Sequence, residues 1–300
     1  MIRIILYTAA ALVAFAFNSI LCRLALRGEE ADAIGFTLVR ITSGAVALVL
    51  ISLLMRKPER QQGPHSRRSA LGQLSLSRFR VGGAWPSAFF LFTYAICFSL
   101  AYLSLSAGTG ALILFGSVQL TMIAVSLFQG ERPRPLEWLG LFIAAGGLAY
   151  LLLPGFESPP LVAAASMAAA GASWGLYSLR GRGAADPIAN TTGNFARAVP
   201  MIILAAMPFF TRLHLTPRGW LLAAVSGAVT SGIGYSFWYA ALKFHTAIRA
   251  AVLQLPVPLL TAFLGVLLLG ETASVRLWVA SALVLGGIGL TIFSKRRVAS

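Results

Sequence analysis

Apolar runs of roughly 20 residues recur along the whole chain, and short polar segments separate them. An α-helix needs about 20 apolar residues to cross a bilayer core of about 30 Å. The pattern therefore predicts an all-α integral membrane protein with ten transmembrane helices. The predicted spans are 4–26, 33–55, 83–104, 108–128, 135–153, 159–179, 188–210, 218–240, 247–269 and 274–294.

The segments between the runs contain residues that end helices, namely Gly, Pro and charged residues. The clearest are Gly28-Glu29-Glu30, Pro133-Arg134-Pro135, Pro154-Gly155-Phe156-Glu157, Asp186-Pro187, Pro217-Arg218 and Gly270-Glu271. Weaker breaks lie near Ala107-Gly108 and His245. One long basic loop, 56–82, is predicted between helices 2 and 3.

Composition excludes a soluble protein, because only 11% of the residues are charged and 58% are hydrophobic. A soluble domain averages about 25% charged residues. The net charge of +15 does not indicate nucleic acid as a partner, since the basic residues lie between the apolar runs. The lipid bilayer is therefore the predicted environment and partner of the apolar segments.

The distribution of Lys and Arg predicts the orientation. With a cytoplasmic N-terminus, 17 of the 24 basic residues lie on the cytoplasmic side and five on the outer side. Cytoplasmic loops carry the excess of Lys and Arg in membrane proteins. We therefore expect a multi-pass protein of the inner (plasma) membrane with both termini in the cytoplasm.

The two halves of the chain resemble each other. A shift of 140 residues, without a gap, superposes Leu120-Thr121 on Leu260-Thr261, Gly130-Glu131 on Gly270-Glu271, Trp138 on Trp278, and Gly146-Gly147 on Gly286-Gly287. Further upstream, a shift of 157 residues superposes Arg23 on Arg180 and Arg40 on Arg197. The difference is extra length in the first copy, which we assign to the basic loop.

Two five-helix repeats are predicted, 1–155 and 156–300. Five is an odd number, so the second repeat must insert upside down relative to the first. Inverted repeats of this kind are typical of secondary transporters, whose substrate site lies near the membrane midplane between the repeats.

No catalytic, metal-binding or cofactor-binding pattern is present. The three histidines and all nine acidic residues fall in predicted loops or at span ends, and no GxxxxGK[ST] loop occurs. Cys22 and Cys97 lie in apolar runs without CxxC spacing. Proton relays usually need an intramembrane carboxylate or histidine. A facilitator or an exchanger is therefore at least as well supported as proton coupling.

Arg40 and Arg197 lie inside predicted spans, where a charge is costly without a partner or water. They could bind an anionic ligand, or contact backbone carbonyls in a structural role, and their symmetric placement favours structure. The Gly130-Glu131 and Gly270-Glu271 pairs are interpreted as helix ends, with each glutamate bonding the amides of the following helix.

Polar and aromatic side chains inside the spans are the best candidates for a substrate cavity. They are Asn18, Tyr94, Tyr102, Gln119, Trp174, Tyr177, Trp238, Tyr239 and Gln254. The alternatives are interhelical hydrogen bonds and interfacial aromatic belts. Pro256 and Pro258 are expected to break helix 9 beside Gln254. Such a cavity would bind zwitterions or amphiphiles by stacking and hydrogen bonding, without a strong ion pair.

These Gly-Glu helix ends, the early Arg40 and Arg197, and the paired glycines make the chain resemble the drug/metabolite transporter superfamily, in its ten-helix EamA-type branch. Family members often carry a proline near Val118 or Gln119 of helix 4, which this chain lacks. The resemblance implies a bundle with a central cavity and export of small metabolites, such as amino acids and their derivatives. The state would be a monomer or a homodimer. The alternative from another class is an integral membrane enzyme or a lipid-handling protein.

Overall fold

The computed structural model describes residues 2–54, 82–128, 135–153, 158–182, 184–242, 244 and 253–294. The predicted basic loop, apart from Gly82, lies outside the described residues, and so do Gly130, Glu131 and His245. The helices are α1 Ile2–Arg27, α2 Ala33–Leu54, α3 Trp85–Tyr102, α4 Ala107–Phe128, α5 Pro135–Leu152, α6 Leu161–Gly181, α7 Pro187–Ala206, α8 Pro217–Leu242, α9 Pro256–Leu269 and α10 Val275–Ser294.

Each predicted span overlaps one of these helices, so the all-helical prediction is confirmed. Within the described ranges, six helices are long and apolar enough to cross a membrane: α1 to α4, α7 with its 3-10 extension Met207–Arg212, and α8. Shorter apolar stretches form α9 and parts of α5 and α10. The count of ten spans stays a prediction.

Several of the polar segments that separate the apolar runs hold helix caps. Asp32 Oδ1 accepts hydrogen bonds from the backbone amides of Ile34 and Gly35 at the start of α2, at 3.0 and 2.8 Å. Asp186 caps α7 in the same way, through the amide of Ala189 at 3.0 Å. These side chains satisfy amides that have no partner inside the helix. Gly270 ends α9 at φ 60°, the left-handed conformation that glycine adopts without strain.

Glu271 does not have the predicted partner. Its carboxylate accepts from the backbone amide of Ala107, at the start of α4, at 2.7 Å, and from Arg23 Nε at 3.1 Å. The first turn of the following helix, α10, is capped by Ser274, whose Oγ accepts from the amide of Leu277 at 3.2 Å. The interpretation that Glu271 bonds the next helix was therefore wrong, although the dipole argument holds for α4.

Helix packing centres on α1, α2, α3, α6 and α8, which together surround the buried polar residues described below. Outside this centre, α5 packs along α10. Gly147 and Gly287 lie in the α5–α10 interface: a Cβ on Gly287 would meet Gly140 O at 2.5 Å, and a Cβ on Gly147 would meet Leu283 Cβ at 2.7 Å. Small residues let membrane helices approach closely.

Gly287→Ala is expected to destabilise the protein, because the added methyl group would overlap the backbone of α5. A Cβ on the neighbouring Gly286 would meet nothing within 4 Å, so Gly286→Ala is the matched control. We expect the melting temperature of the purified protein to fall for Gly287→Ala only. Equal melting temperatures for the two variants would show that α5 and α10 do not pack as described.

Candidate functional site

Arg40 is the centre of a buried polar cluster. It lies on α2 and is 1% exposed. Its Nε donates to Ser231 Oγ at 3.1 Å, and its Nη2 donates to Tyr94 Oη at 3.1 Å and to Tyr235 Oη at 2.9 Å. One guanidinium therefore joins α2 to α3 and α8 through neutral acceptors.

The Arg40 cation has no carboxylate partner among the described residues, whose ion pairs are Arg23–Glu271 and Arg218–Glu30. Its Nη1 is buried and, within that same part of the chain, makes no hydrogen bond. The guanidinium carbon lies 4.9 Å from the ring centroid of Phe98 and 5.2 Å from that of Tyr94. Ring faces attract a cation, but they do not replace a counter-ion.

Asn18 of α1 extends the cluster. Its Nδ2 donates to Tyr94 Oη at 3.1 Å, and its Oδ1 accepts from Ser226 Oγ at 2.6 Å and from Thr230 Oγ1 at 3.1 Å. Tyr235 Oη also donates to Tyr94 Oη, at 3.1 Å. The Tyr94 hydroxyl is thus the point where α1, α2, α3 and α8 meet.

The middle of α8 is a π-helical segment, Ser226–Ile233, and it supplies three of these hydroxyls. A π turn inserts one residue and is frequent at functional sites. Gly227 lets this segment lie directly on α2, since a Cβ there would collide with Arg40 O and Ser43 Oγ. The small residues of this segment therefore bring its hydroxyls within reach of the Arg40 side chain.

Aromatic side chains enclose the cluster on one side. The Trp174 ring of α6 lies 4.6 Å from Tyr235, 5.1 Å from Tyr94 and 5.5 Å from Phe15, measured between centroids. Trp174 Nε1 donates to Gln254 Oε1 at 3.4 Å. A small cavity lies next to these rings, and it is lined by Phe15, Tyr94, Phe98, Leu114, Phe115 and Trp174.

The predicted candidates Asn18, Arg40, Tyr94, Trp174 and Gln254 are thus brought together by direct contacts. The contacts described below place the remaining candidate residues around these five, toward both ends of the cluster. Sequence reasoning placed Gln254 beside a break in helix 9, and the described helix α9 does begin at Pro256.

Tyr102 lies at the C-terminal end of α3, where its hydroxyl donates to Ala107 O at 3.3 Å and its ring packs 4.7 Å from Phe98. Tyr177 and Tyr239 form a pair near the other end: their rings are 5.5 Å apart, and Tyr239 Oη donates to Tyr177 O at 3.2 Å. These three tyrosines flank the cluster.

Trp238 is buried against Phe15, with ring centroids 5.6 Å apart. Gln119 is buried on α4, the helix that also supplies Leu114 and Phe115 to the cavity wall. Both residues therefore lie in the protein interior rather than at the lipid surface.

Arg197 and Arg40 have different surroundings. Arg197 Nη1 donates to Gly82 O, just before α3, at 2.8 Å, and to Gly193 O, one turn earlier in α7, at 2.9 Å, so it binds backbone carbonyls. The side chain is only partly buried. This arrangement fits the structural interpretation of Arg197, whereas Arg40 lies at the centre of the molecule and its Nη1 has no hydrogen-bond partner among the described residues.

Sequence reasoning left several cluster residues out, namely Phe15, Ser226, Thr230 and Ser231. A signal for three of them exists in the small polar residues Ser226, Thr230 and Ser231, which interrupt an apolar span. Their convergence depends on the π segment, for which the pattern of residues gives no sign.

The model of the EamA-like transporter family matches residues 2–153 and 161–293. The chain belongs to this family. An uncharacterised protein of Pseudomonas aeruginosa is 44% identical to this EamA-like protein over 290 residues, which cover 97% of this chain and 94% of the relative. A protein of Archaeoglobus fulgidus named as an uncharacterised transporter is 26% identical over 212 residues, or 66% of this chain and 72% of that one.

The fold also occurs in a protein of known crystal structure. It superposes on this EamA-like protein with a TM-score of 0.63 at 17% identity, covering 98% of this chain and 99% of the other. At this identity the likeness concerns the fold alone. Family membership makes this a membrane transport protein, as the sequence resemblance implied.

Proposed function

We propose that this EamA-like protein is a secondary transporter that exports small amphiphilic metabolites, such as amino acids or their derivatives, by alternating access. The observation that carries the proposal is the buried polar cluster with its adjoining apolar cavity. Helices α1, α2 and α3 of the first predicted repeat and α6 and α8 of the second contribute to it. A site between repeats can be exposed to either side when the repeats rock against each other.

The proposed architecture has ten spans in two inverted repeats. The protein lies in the inner (plasma) membrane, with both termini in the cytoplasm. The two stretches matched by the family model support the division into repeats. The packing of Gly147 and Gly287, which are equivalent under the 140-residue shift, supports it as well. The excess of Lys and Arg on one side supports the orientation.

In this orientation, two sets of contacts close the outer end. Arg23 pairs with Glu271, and the same arginine donates to the backbone oxygen of Tyr102 at 2.9 Å. The segment between α1 and α2 joins the segment between α7 and α8, where Asp32 Oδ2 accepts from the amide of His214 at 2.7 Å. Release of a substrate to the outside requires the Arg23–Glu271 contact to separate.

Glu271→Gln is expected to raise the fraction of molecules that are open to the outside, because the variant removes the charge that holds Arg23. Cys22 is fully buried beside this contact, with Sγ 3.9 Å from Ser99 Oγ. In a Cys97→Ser background, a membrane-impermeant maleimide added outside should label Cys22 roughly tenfold faster in the variant, which corresponds to about 1.4 kcal/mol.

The matched control is Glu29→Gln, which makes the same chemical change at an exposed residue of the same end. It should leave the labelling rate unchanged. If Glu271→Gln and Glu29→Gln label equally slowly, the Arg23–Glu271 pair does not hold the outer end closed.

The direct test of the proposed function is transport by the purified protein in proteoliposomes. A panel of amino acids and related amphiphilic metabolites is loaded inside, and efflux is compared with protein-free vesicles. We expect efflux of at least one member without ATP. Failure to move any member, by a sample shown to be folded, would contradict the proposed function.

A further inference from the structure

We infer that Arg40 binds an anionic carboxylate, and that the transported substrates are small amphiphilic carboxylates. The inference rests on the proposed function for the transport step, but the binding can be tested without it. It takes up the anionic-ligand alternative that the sequence left open for Arg40, in place of a cavity that works by stacking and hydrogen bonding alone.

The charge at the centre of the molecule is the first reason. Burying an isolated guanidinium is costly, and such charges in proteins are paired or bind a ligand. The carboxylates whose positions the structure describes lie at helix ends: Glu29, Glu30, Asp32, Asp186 and Glu271. The partners of Arg40 are neutral hydroxyls. A ligand carboxylate would supply the missing negative charge.

The second reason is the distribution of hydrogen bonds around the guanidinium. Arginine has five N–H donors in a planar fork. Nε and Nη2 of Arg40 are used by Ser231, Tyr94 and Tyr235, which hold the plane in place. Nη1 is buried without a partner in the described part of the chain. An arginine that only held helices together would not need to leave the Nη1 edge of its guanidinium without a hydrogen-bond partner.

The third reason is the cavity next to the cation. Tyr94 and Phe98 line it, and the guanidinium lies against the rings of the same two residues. The other lining side chains are apolar or aromatic, including Phe15, Phe115 and Trp174. In this conformation the cavity has room for about one water molecule. An amphiphile would therefore have to part the rings to place its apolar body between them, with its carboxylate against Nη1.

The same arrangement opposes cationic amphiphiles. A cationic head group at this position would meet the like charge of Arg40 in a low-dielectric interior, where Coulomb energies are large. The selectivity we infer is therefore anion first, then zwitterion, with neutral analogues bound more weakly and cationic analogues excluded.

The test uses three probes with one apolar body and different head groups: phenylacetate, phenylacetamide and phenethylamine. Each is titrated onto the purified wild-type protein in lipid nanodiscs, and binding is measured by calorimetry. We expect phenylacetate to bind at least tenfold more tightly than phenylacetamide, and phenethylamine not to bind. 4-Methylpentanoate and its amide repeat the comparison with an aliphatic body. Equal affinities within both acid–amide pairs, or no binding by either acid, would overturn the inference.

Variants then assign the effect to one residue. Arg40→Gln should reduce the acid-to-amide preference to less than threefold, and Arg40→Lys should retain part of it. Arg197→Gln, at the equivalent position of the second repeat, should keep the full preference. If Arg40→Gln folds and keeps the preference, the carboxylate does not bind at Arg40. If Arg40→Gln does not fold, the acid-to-amide preferences of the wild type and of Arg40→Lys decide whether the carboxylate binds at Arg40.

The outcomes separate this inference from the proposed function. Carboxylate binding that depends on Arg40 in a protein that transports nothing would uphold the binding site at Arg40 and remove the proposed function, together with the statement about transported substrates. Efflux of amides and cations at the same rate as acids would uphold the proposed transport function and contradict the inferred preference for carboxylates.

Discussion

Tyr94→Phe is expected to lower the transport rate by about tenfold or more, although the ring itself is retained. The hydroxyl accepts hydrogen bonds from Asn18, Arg40 and Tyr235, at 3.1 Å each. Hydrogen bonds to charged groups contribute about 1.5–3 kcal/mol, and stranded buried donors cost more. Loss of this one oxygen therefore weakens the attachment of α3 to three other helices.

The measurement is the initial efflux rate from proteoliposomes per folded molecule, with the best substrate found in the metabolite panel. Tyr7→Phe is the matched control, because Tyr7 is 37% exposed and stacks on Phe237 away from the cluster. If Tyr94→Phe transports as fast as Tyr7→Phe, the hydroxyl junction has no part in transport.

Trp174→Ala is expected to reduce transport to near the background of protein-free vesicles. The indole forms a wall of the cavity, packs on Tyr94, Tyr235 and Phe15, and donates to Gln254. Truncation of a buried Trp costs about 3–5 kcal/mol where the packing does not collapse. The cavity would lose its shape, and the apolar part of a substrate would lose a main contact.

Trp220→Ala makes the same chemical change at a residue that is 55% exposed on α8, and it should transport like the wild type. Both variants are compared by efflux and by melting temperature. Should Trp174→Ala fail to fold, Gln254→Leu decides the question, with an expected several-fold loss of transport. If a folded Trp174→Ala variant transports as fast as the wild type, the substrate site does not lie at Trp174.

Much of the helical arrangement could be predicted because the bilayer imposes it. Runs of about 20 apolar residues have few alternatives to a helix. Asp186 and Gly270 marked helix ends correctly, since capping depends on residues that are adjacent in the sequence. The partner of Glu271 could not be predicted in this way: Ala107 is 164 residues away and Arg23 is 248 residues away.

The candidate site was predicted in part for a similar reason. Asn18, Trp174 and Gln254 stood out as polar or amphipathic side chains inside spans, where they need partners. Arg40 and Arg197 looked equivalent in the sequence, yet only Arg40 meets the π segment of α8. The insertion of a π turn depends on how α8 packs against α2, and no local pattern specifies it.

The charge of Arg40, which has no carboxylate partner among the described residues, also bears on the energy source for the proposed export. A monoanion that leaves a cell with a negative interior gains about 2.3 kcal/mol per 100 mV of membrane potential. A carboxylate bound to Arg40 makes a neutral pair. The membrane potential therefore acts on the net charge of the free anion in water, but the loaded site has no net charge for it to act on. For an anionic substrate, the resting voltage would drive efflux through a protein that holds the buried Arg40 cation at its centre and whose acidic residues fall in predicted loops or at span ends.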